Sequence, residues 1–302
     1  MGNTTSYKWK GVTGGGNFGL KSLFFLFKYC DVRVGYFFMY LTIPFYILFG
    51  VKVRKSIEHY FQYVYGFGKI KSFFKTWHCY NTFGKVMLDR FSIFSGQIHK
   101  FKVETEGVDL FWDLMKSGKG FMMVGSHTGN FEICGYLLHQ DIKKIYALVF
   151  GGETQVLQQK RFAQFITNNI EMVAVKDDMS HLFVMNDALM NGNIITMPAD
   201  RNLGSSKSVT CNFGKATAEF PVGPFSIAAI RDVPVLAVFV YRLKTHEYKV
   251  IVKKIEINSD TEVKSAKKKA EMLAQIFVSE LEKQVFEFPC QWFNFFEFFN
   301  QK

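Results

Sequence analysis

The chain has 302 residues, enough for one large α/β domain or two smaller ones, and carries 37 lysines and arginines against 26 acidic residues, a net charge of +11. Such a surplus attracts polyanions, either nucleic acid or anionic lipid. With 35 phenylalanines and 17% aromatic residues, and with neither zinc-finger spacing nor an RNA-binding aromatic signature, the composition argues against nucleic acid and for a membrane surface.

In chain order, "MGNTTS" matches the N-myristoylation pattern at Gly2 and Ser6, a short motif that matters only where the transferase exists. "GGGNFG" satisfies G-x-G-x-x-G at Gly14, Gly16 and Gly19, but only polar residues precede it, so a turn-forming glycine cluster is the expectation there, not a dinucleotide loop. From Val34 to Val51, 18 positions carry no charge, the lower edge of a spanning length. Pro44 sits in the middle, and basic residues flank both sides (Lys28 and Arg33, then Lys52, Arg54 and Lys55), so charge gives no orientation. The reading is a membrane-embedded or interfacial anchor, with a buried core helix as the alternative. No cleavage pattern follows it, which argues against a signal peptide and leaves the bulk of the protein on the cytoplasmic side. Residues 1–100 are therefore expected to be a basic, glycine-rich start, a membrane-associated helix at about 34–51 and a helical region.

Residues 101–302 read as an α/β core. "FMMVG" (121–125) is a strand, "FEICGYLLHQ" a helix, "IYALVF" a strand, "ETQVLQQKRFAQFITNN" a helix and "MVAV" a strand. A helix from about Met179 to Met190, the strand "NIITM", "SVTCNFG", a short helix "GPFSIAAIR", and the strands "VLAVFVYR" and "YKVIVKKIEI" follow. This alternation predicts a mostly parallel central sheet covered by helices on both faces. The last helix is expected from Ser259 or Asp260, with Val263, Ala266, Ala270, Leu273, Phe277, Leu281 and Val285 on one face, and Pro289 ends it before the aromatic tail "QWFNFFEFF". Five cysteines, Cys30, Cys79, Cys134, Cys211 and Cys290, form no C-x-x-C, so neither a disulfide framework nor a zinc site is indicated, and no metal is expected.

"GSHTGNFE" (125–132) lies at the strand-to-helix turn. His127 projects from the C-terminal end of the strand, where open α/β sheets bind ligands. Histidine suits general-base work near neutral pH. Glu132, about one turn on, is positioned to accept a hydrogen bond from the other ring nitrogen and fix the tautomer, as the carboxylate of a serine-protease triad does. No serine or cysteine is clearly placed as nucleophile, so the substrate's own hydroxyl or amine takes that role. Gly129 and Asn130 belong to the turn, whose N–H groups would hold an oxyanion. The plain alternative is a well-capped turn with an acidic residue favoured by the helix dipole.

"SHTGNFE" resembles the H-x4-D/E block of the lysophospholipid acyltransferase superfamily, in the form found in bacterial lipid A late (lauroyl/myristoyl) acyltransferases. Residues 197–242, "MPADRNLGSSKSVTCNFGKATAEFPVGPFSIAAIRDVPVLAVFVYR", are similar in order and spacing to that family's later blocks, and "PCQW" at 289–292 echoes its C-terminal P-x-x-W. The resemblance implies a glycerol-3-phosphate acyltransferase-like fold at the cytoplasmic face of the bacterial inner membrane. It implies an acyltransferase of groups other than aminoacyl, moving a fatty acyl chain from an acyl carrier protein or coenzyme A thioester to a hydroxyl of a lipid A precursor, with no further cofactor. It implies His127 as base, Glu132 as its partner, Gly129 and Asn130 as oxyanion or turn residues, and Asp200 and Arg242 as substrate-binding residues through loop ordering or phosphate contact, with structural salt bridging as the alternative for both. Arg201, a basic residue within the later blocks, is a further candidate for acceptor phosphate or an acidic carrier protein.

Two departures bear on the acceptor. "LVFGGETQ" stands where the family has a basic element, with no arginine until Arg161, and the tail lacks the family's histidine and arginine after the tryptophan. Fewer basic groups mean fewer charge-assisted phosphate contacts, which keeps open the same chemistry on an aminolipid or lipidic pigment. A non-catalytic protein bound to anionic membrane is the reading from another class.

Overall fold

The structure, a computed structural model, describes residues 16–137, 142–149, 165, 168–175, 178, 180–202, 207–258 and 263–299. "MGNTTS", most of the expected helix at 153–169, Arg161 and the expected helix start at 259–260 lie outside them.

The described part of the first hundred residues is helical: α1 (Gly16–Tyr29), α2 (Val32–Phe49), α3 (Val51–Tyr65) and α4 (Lys69–Ser92). Gly16 and Gly19 lie within α1, so the glycine cluster runs into a helix. Asp31 caps α2, its carboxylate accepting from the Arg33 backbone N–H at 3.0 Å, and Gly50 closes the helix, with Pro44 retained inside. Val32, Gly35, Tyr36, Met39, Ile43 and Ile47 recur at three- and four-residue steps as its buried face. That face lies on α4, where Gly84 leaves room for Met39: a Cβ at 84 would meet the Met39 sulfur at 2.3 Å. α2 is the one helix among the described residues long and apolar enough to cross a membrane.

The core begins with two elements that the sequence pattern does not signal, β1 (Lys102–Glu106) and α5 (Val108–Lys116). "KVETE" shows no apolar alternation because β1 is an exposed edge strand. Then come β2 (Phe121–Gly125), α6 (Ile133–Leu137), β3 (Ile145–Val149), β4 (Ile170–Ala174), α7 (Ser180–Met190) and β5 (Ile194–Pro198). They are followed by the hairpin β6 (Ser208–Phe213) and β7 (Ala216–Pro221), α8 (Gly223–Arg231), β8 (Val235–Lys244), β9 (Glu247–Ile255) and α9 (Ala266–Glu287). α9 starts at Ala266 under a Ser265 cap, so Val263 precedes the helix instead of joining its apolar face.

Seven strands form one sheet in the order β1-β9-β8-β2-β5-β3-β4, parallel throughout except for β8 against β9. β2 and β8 are buried on both faces, which is why they read as unbroken apolar runs. Their residues alternate between two cores. Met122, Val124, Ala237 and Phe239 meet α7, α8 and α9 through Met185, Phe225 and Phe277, while Phe121, Leu236 and Val240 meet the N-terminal helices and α5 through Phe27, Val32, Phe91 and Phe111. The sheet is thus covered by helices on both faces, and the C-terminal ends of β2 and β5 open beside each other.

Candidate active site

Strand register builds the site. Gly125 pairs with Pro198 across parallel β2 and β5, and the Ala199 N–H donates to the Gly125 carbonyl at 2.8 Å, so the two chains leave the sheet side by side. Two residues beyond that pair on each chain stand His127 and Asp200. His127 Nδ1 lies 2.7 Å from Asp200 Oδ1, and the His127 backbone N–H donates to Oδ2 at 2.9 Å. The Trp292 indole N–H also donates to Oδ2 at 2.9 Å. Asp200 is fully buried. Burial alone pushes its carboxyl up, but the charge of His127, the ring and backbone N–H groups of that residue and the Arg201 guanidinium outweigh it and hold the carboxyl at about 2. A carboxylate there accepts from a protonated Nδ1; the His127 side chain keeps 18% exposure, edge-on to the Phe131 ring.

The hydrogen bond expected between His127 and Glu132 is not made; Asp200 takes that place. Glu132 instead meets Arg90 of α4, with Oε1 2.8 Å from Nη2, and accepts from the Tyr136 hydroxyl on Oε2. The physical reason is the turn. Helix α6 begins at Ile133 and not at Phe131, so Glu132 is not one helical turn above His127 but sits where the chain faces α4.

Gly129 shapes that turn. Its φ is +45°, and a Cβ would lie 2.2 Å from the Val240 carbonyl oxygen, so both conformation and space require glycine. Its N–H donates to the Gln291 carbonyl at 2.9 Å, which takes it out of the oxyanion role expected of it. Asn130 is different. It is 3% exposed, its carbonyl accepts from Ile133 N–H at 3.0 Å, and its side-chain Nδ2 has no hydrogen-bond partner among the described residues. A buried amide donor without a partner is uncommon in a folded protein.

The two arginines expected to bind substrate are engaged by the protein itself. Arg201 donates from Nε to Asn294 Oδ1 at 2.7 Å and from Nη2 to the Phe293 carbonyl at 2.6 Å. Arg242 donates from Nε to Asp89 Oδ2 at 2.9 Å and from Nη2 to the Tyr36 hydroxyl at 3.1 Å, while Tyr36 and Tyr248 also donate to the buried Asp89. This cluster ties α2 and α4 to β8 and β9, which makes Arg242 a salt-bridging residue. Sequence reasoning missed Asp89 and Arg90, which lie in an ordinary-looking amphipathic helix, and the contact of Trp292, which only "PCQW" signalled.

Beneath the turn lies a cavity of about 230 Å³. Met123 and Gly125 of β2, Ile145, Ala147 and Val149 of β3, Thr196 and Met197 of β5, Val250 and Val252 of β9 and Phe111 of α5 line it, and Ser126, Phe131 and Glu132 bring it up to the turn that carries His127. The turn therefore carries a histidine with a buried carboxylate behind it and an unpartnered, buried amide donor, and its residues Ser126, Phe131 and Glu132 line a mostly apolar cavity.

No curated protein matches the chain at a significant level. A family model described as bacterial lipid A biosynthesis acyltransferase does match, over residues 78–301, from within α4 through the whole sheet, the His127 turn and the tail. By that match the chain belongs to the bacterial lipid A biosynthesis acyltransferase family, and it is an acyltransferase.

Proposed function

We propose that the protein transfers a fatty acyl chain from an acyl carrier protein or coenzyme A thioester to a hydroxyl of a lipid A precursor or related glycolipid, at the cytoplasmic face of a bacterial inner membrane. The observation that supports this reading most is the His127–Asp200 pair on a turn whose residues Ser126, Phe131 and Glu132 line an apolar cavity. In the proposed reaction the acceptor hydroxyl gives its proton to His127 Nε2 while its oxygen attacks the thioester carbonyl carbon. Asp200 keeps Nδ1 protonated and stabilises the imidazolium that forms. The oxyanion of the tetrahedral intermediate is held by Asn130 Nδ2, and as the C–S bond breaks the leaving thiolate takes the proton back from Nε2, so an ester and a thiol leave. The acyl chain occupies the cavity, gaining about 0.8 kcal/mol per buried CH₂. Glu132 acts in this scheme as the counter-charge of Arg90 at the cavity's edge.

The membrane is met by the outer face of α2. Phe37, Phe38, Phe45, Tyr46 and Phe49 are exposed there, Phe49 to 80%, and Phe25, Ile70, Phe74 and Trp77 extend the apolar surface over α1 and α4. The inner face of α2 is held to the body by the Tyr36–Asp89 hydrogen bond, which favours an embedded or interfacial face over a lone span.

The test is transfer by purified, detergent-solubilised protein from lauroyl-coenzyme A and from lauroyl carrier protein to a lipid A precursor, with mass spectra of lipid A and total lipid from a deletion strain. Loss of more than about a hundredfold in His127→Ala with normal membrane yield is expected, and retained transfer would exclude the base assignment and favour a merely membrane-binding protein. Unchanged lipid A in the deletion strain would remove the glycolipid acceptor. The second reading, an aminolipid or lipidic pigment as acceptor, is favoured by one observation: Arg201 and Arg242 are both bound to protein acceptors and are not offered to a phosphate. It predicts a change in total lipid with lipid A intact.

A further inference from the structure

The tail beyond α9 touches the site in more ways than the proposed reaction uses. Gln291 accepts the Gly129 N–H, the Phe293 N–H donates to the His127 carbonyl at 2.9 Å, and Thr128 faces Trp292 as an antiparallel bridge. The tail thus lies along the catalytic turn as a short extra strand. From it, Trp292, 6% exposed, reaches Asp200 Oδ2, the oxygen that also accepts the His127 backbone N–H. The indole is itself fixed, stacked on Phe213 at 5.2 Å between centroids and edge-on to Tyr60 at 5.9 Å and Phe298 at 4.9 Å. It is held by α3 and the β6–β7 hairpin independently of the histidine.

We infer that Trp292 is a positioning residue for the histidine: its indole N–H pins Asp200 Oδ2, so that Oδ1 stays aimed at His127 Nδ1 and the carboxylate's charge is shared between the ring and the indole. With two donors on Oδ2 the carboxylate cannot rotate about its Cβ–Cγ bond without breaking both. With the indole donor removed, more negative charge faces the imidazole, the imidazolium is stabilised, and a smaller share of the protein carries the free base. The inference rests on the reading in which Asp200 is the carboxylate partner of His127, and the experiment separates the two.

The Cε1–H resonance of His127 is followed against pH in detergent-solubilised, histidine-labelled protein, assigned by His127→Ala; the readout needs no substrate. In Trp292→Phe, which keeps an aromatic ring and loses only the donor, the titration is expected to move to higher pH, raising the imidazolium-to-imidazole ratio at a fixed pH about fivefold to tenfold. Asp200→Asn is expected to move it the other way. An unmoved titration in Asp200→Asn would sink the underlying reading. An unmoved titration in Trp292→Phe, with Asp200→Asn shifted, would overturn the role of Trp292 alone. A second measurement needs no substitution at 292. In the wild-type protein the Trp292 indole N–H resonance, assigned by replacing Trp9, Trp77 and Trp112, should shift in step with the His127 titration, because both groups bond one carboxylate. An indole signal that stays still while His127 titrates overturns the inference even if Trp292→Phe does not fold.

Discussion

Replacing Asp200 with asparagine removes a charge and leaves the shape of the side chain nearly unchanged. The carboxylate accepts three N–H groups, two from His127 and one from Trp292, whereas an amide can accept on one side only. If its oxygen faces the His127 backbone and Trp292, its NH₂ faces Nδ1, which must become an acceptor; the proton moves to Nε2 and the base is lost. If the oxygen faces Nδ1, two buried donors are left opposing an NH₂ group, at roughly 1–3 kcal/mol each, so the first orientation prevails. The wrong tautomer is expected to lower kcat by on the order of 10³–10⁴ with little effect on KM. Stability falls too: holding the carboxyl at about 2 instead of an ordinary 3.8 contributes about 2 kcal/mol at neutral pH, or roughly 3 °C in Tm for a chain of 302 residues. The assay is acyl transfer from lauroyl-coenzyme A beside a thermal melt of the same detergent-solubilised sample. Wild-type transfer in Asp200→Asn would refute the assignment, and a larger kcat loss in Glu132→Gln at unchanged Tm would return the partner role to Glu132.

Three further outcomes are expected. Because the folded-state value for Asp200 lies below its unfolded one, its contribution to stability is complete above about pH 4 and is lost as pH falls towards about 2; denaturant melts from pH 6 to 2 should show an acid-side decline that is smaller in Asp200→Asn, and equal declines would count against it. Gly129→Ala forces a Cβ to 2.2 Å from the Val240 oxygen at φ +45° and should cost on the order of 3 kcal/mol or more, with transfer abolished; an unaltered melt contradicts the turn geometry. Ala147→Leu fills part of the cavity from β3 and should raise the preference for the shorter of two acyl donors differing by two carbons at least about tenfold, read as a ratio of kcat/KM; an unchanged ratio would place the acyl chain elsewhere.

The sequence carried the elements whose cause is local. β2 and β8 are legible because strands buried on both faces are apolar over most of their length, α2 because 16 of the 18 uncharged positions from Val34 to Val51 fall in one helix, and the family because "SHTGNFE" and residues 197–242 keep their order. β1 was not legible, since an exposed edge strand needs no apolar pattern, and α9 began later than its apolar spacing suggested because Ser265, not spacing, caps it.

Around His127 the division is sharper. Residue type and a strand end marked the histidine, and the turn marked its glycine, because both follow from a few neighbouring positions. Its partner did not, because Glu132 and Asp200 lie five and 73 positions away, and closeness in sequence favours the wrong one. Only the parallel register Gly125↔Pro198 brings Asp200 beside His127, and only the late start of α6 leaves Glu132 to Arg90. The same holds for Trp292 and Arg242, whose partners come from segments far along the chain. The sequence by itself determined which groups are candidates for acyl-transfer chemistry and that they stand on a mostly parallel sheet; the tertiary structure alone decided which carboxylate meets His127, because hydrogen bonds are made between strand ends that adjacency in sequence does not record.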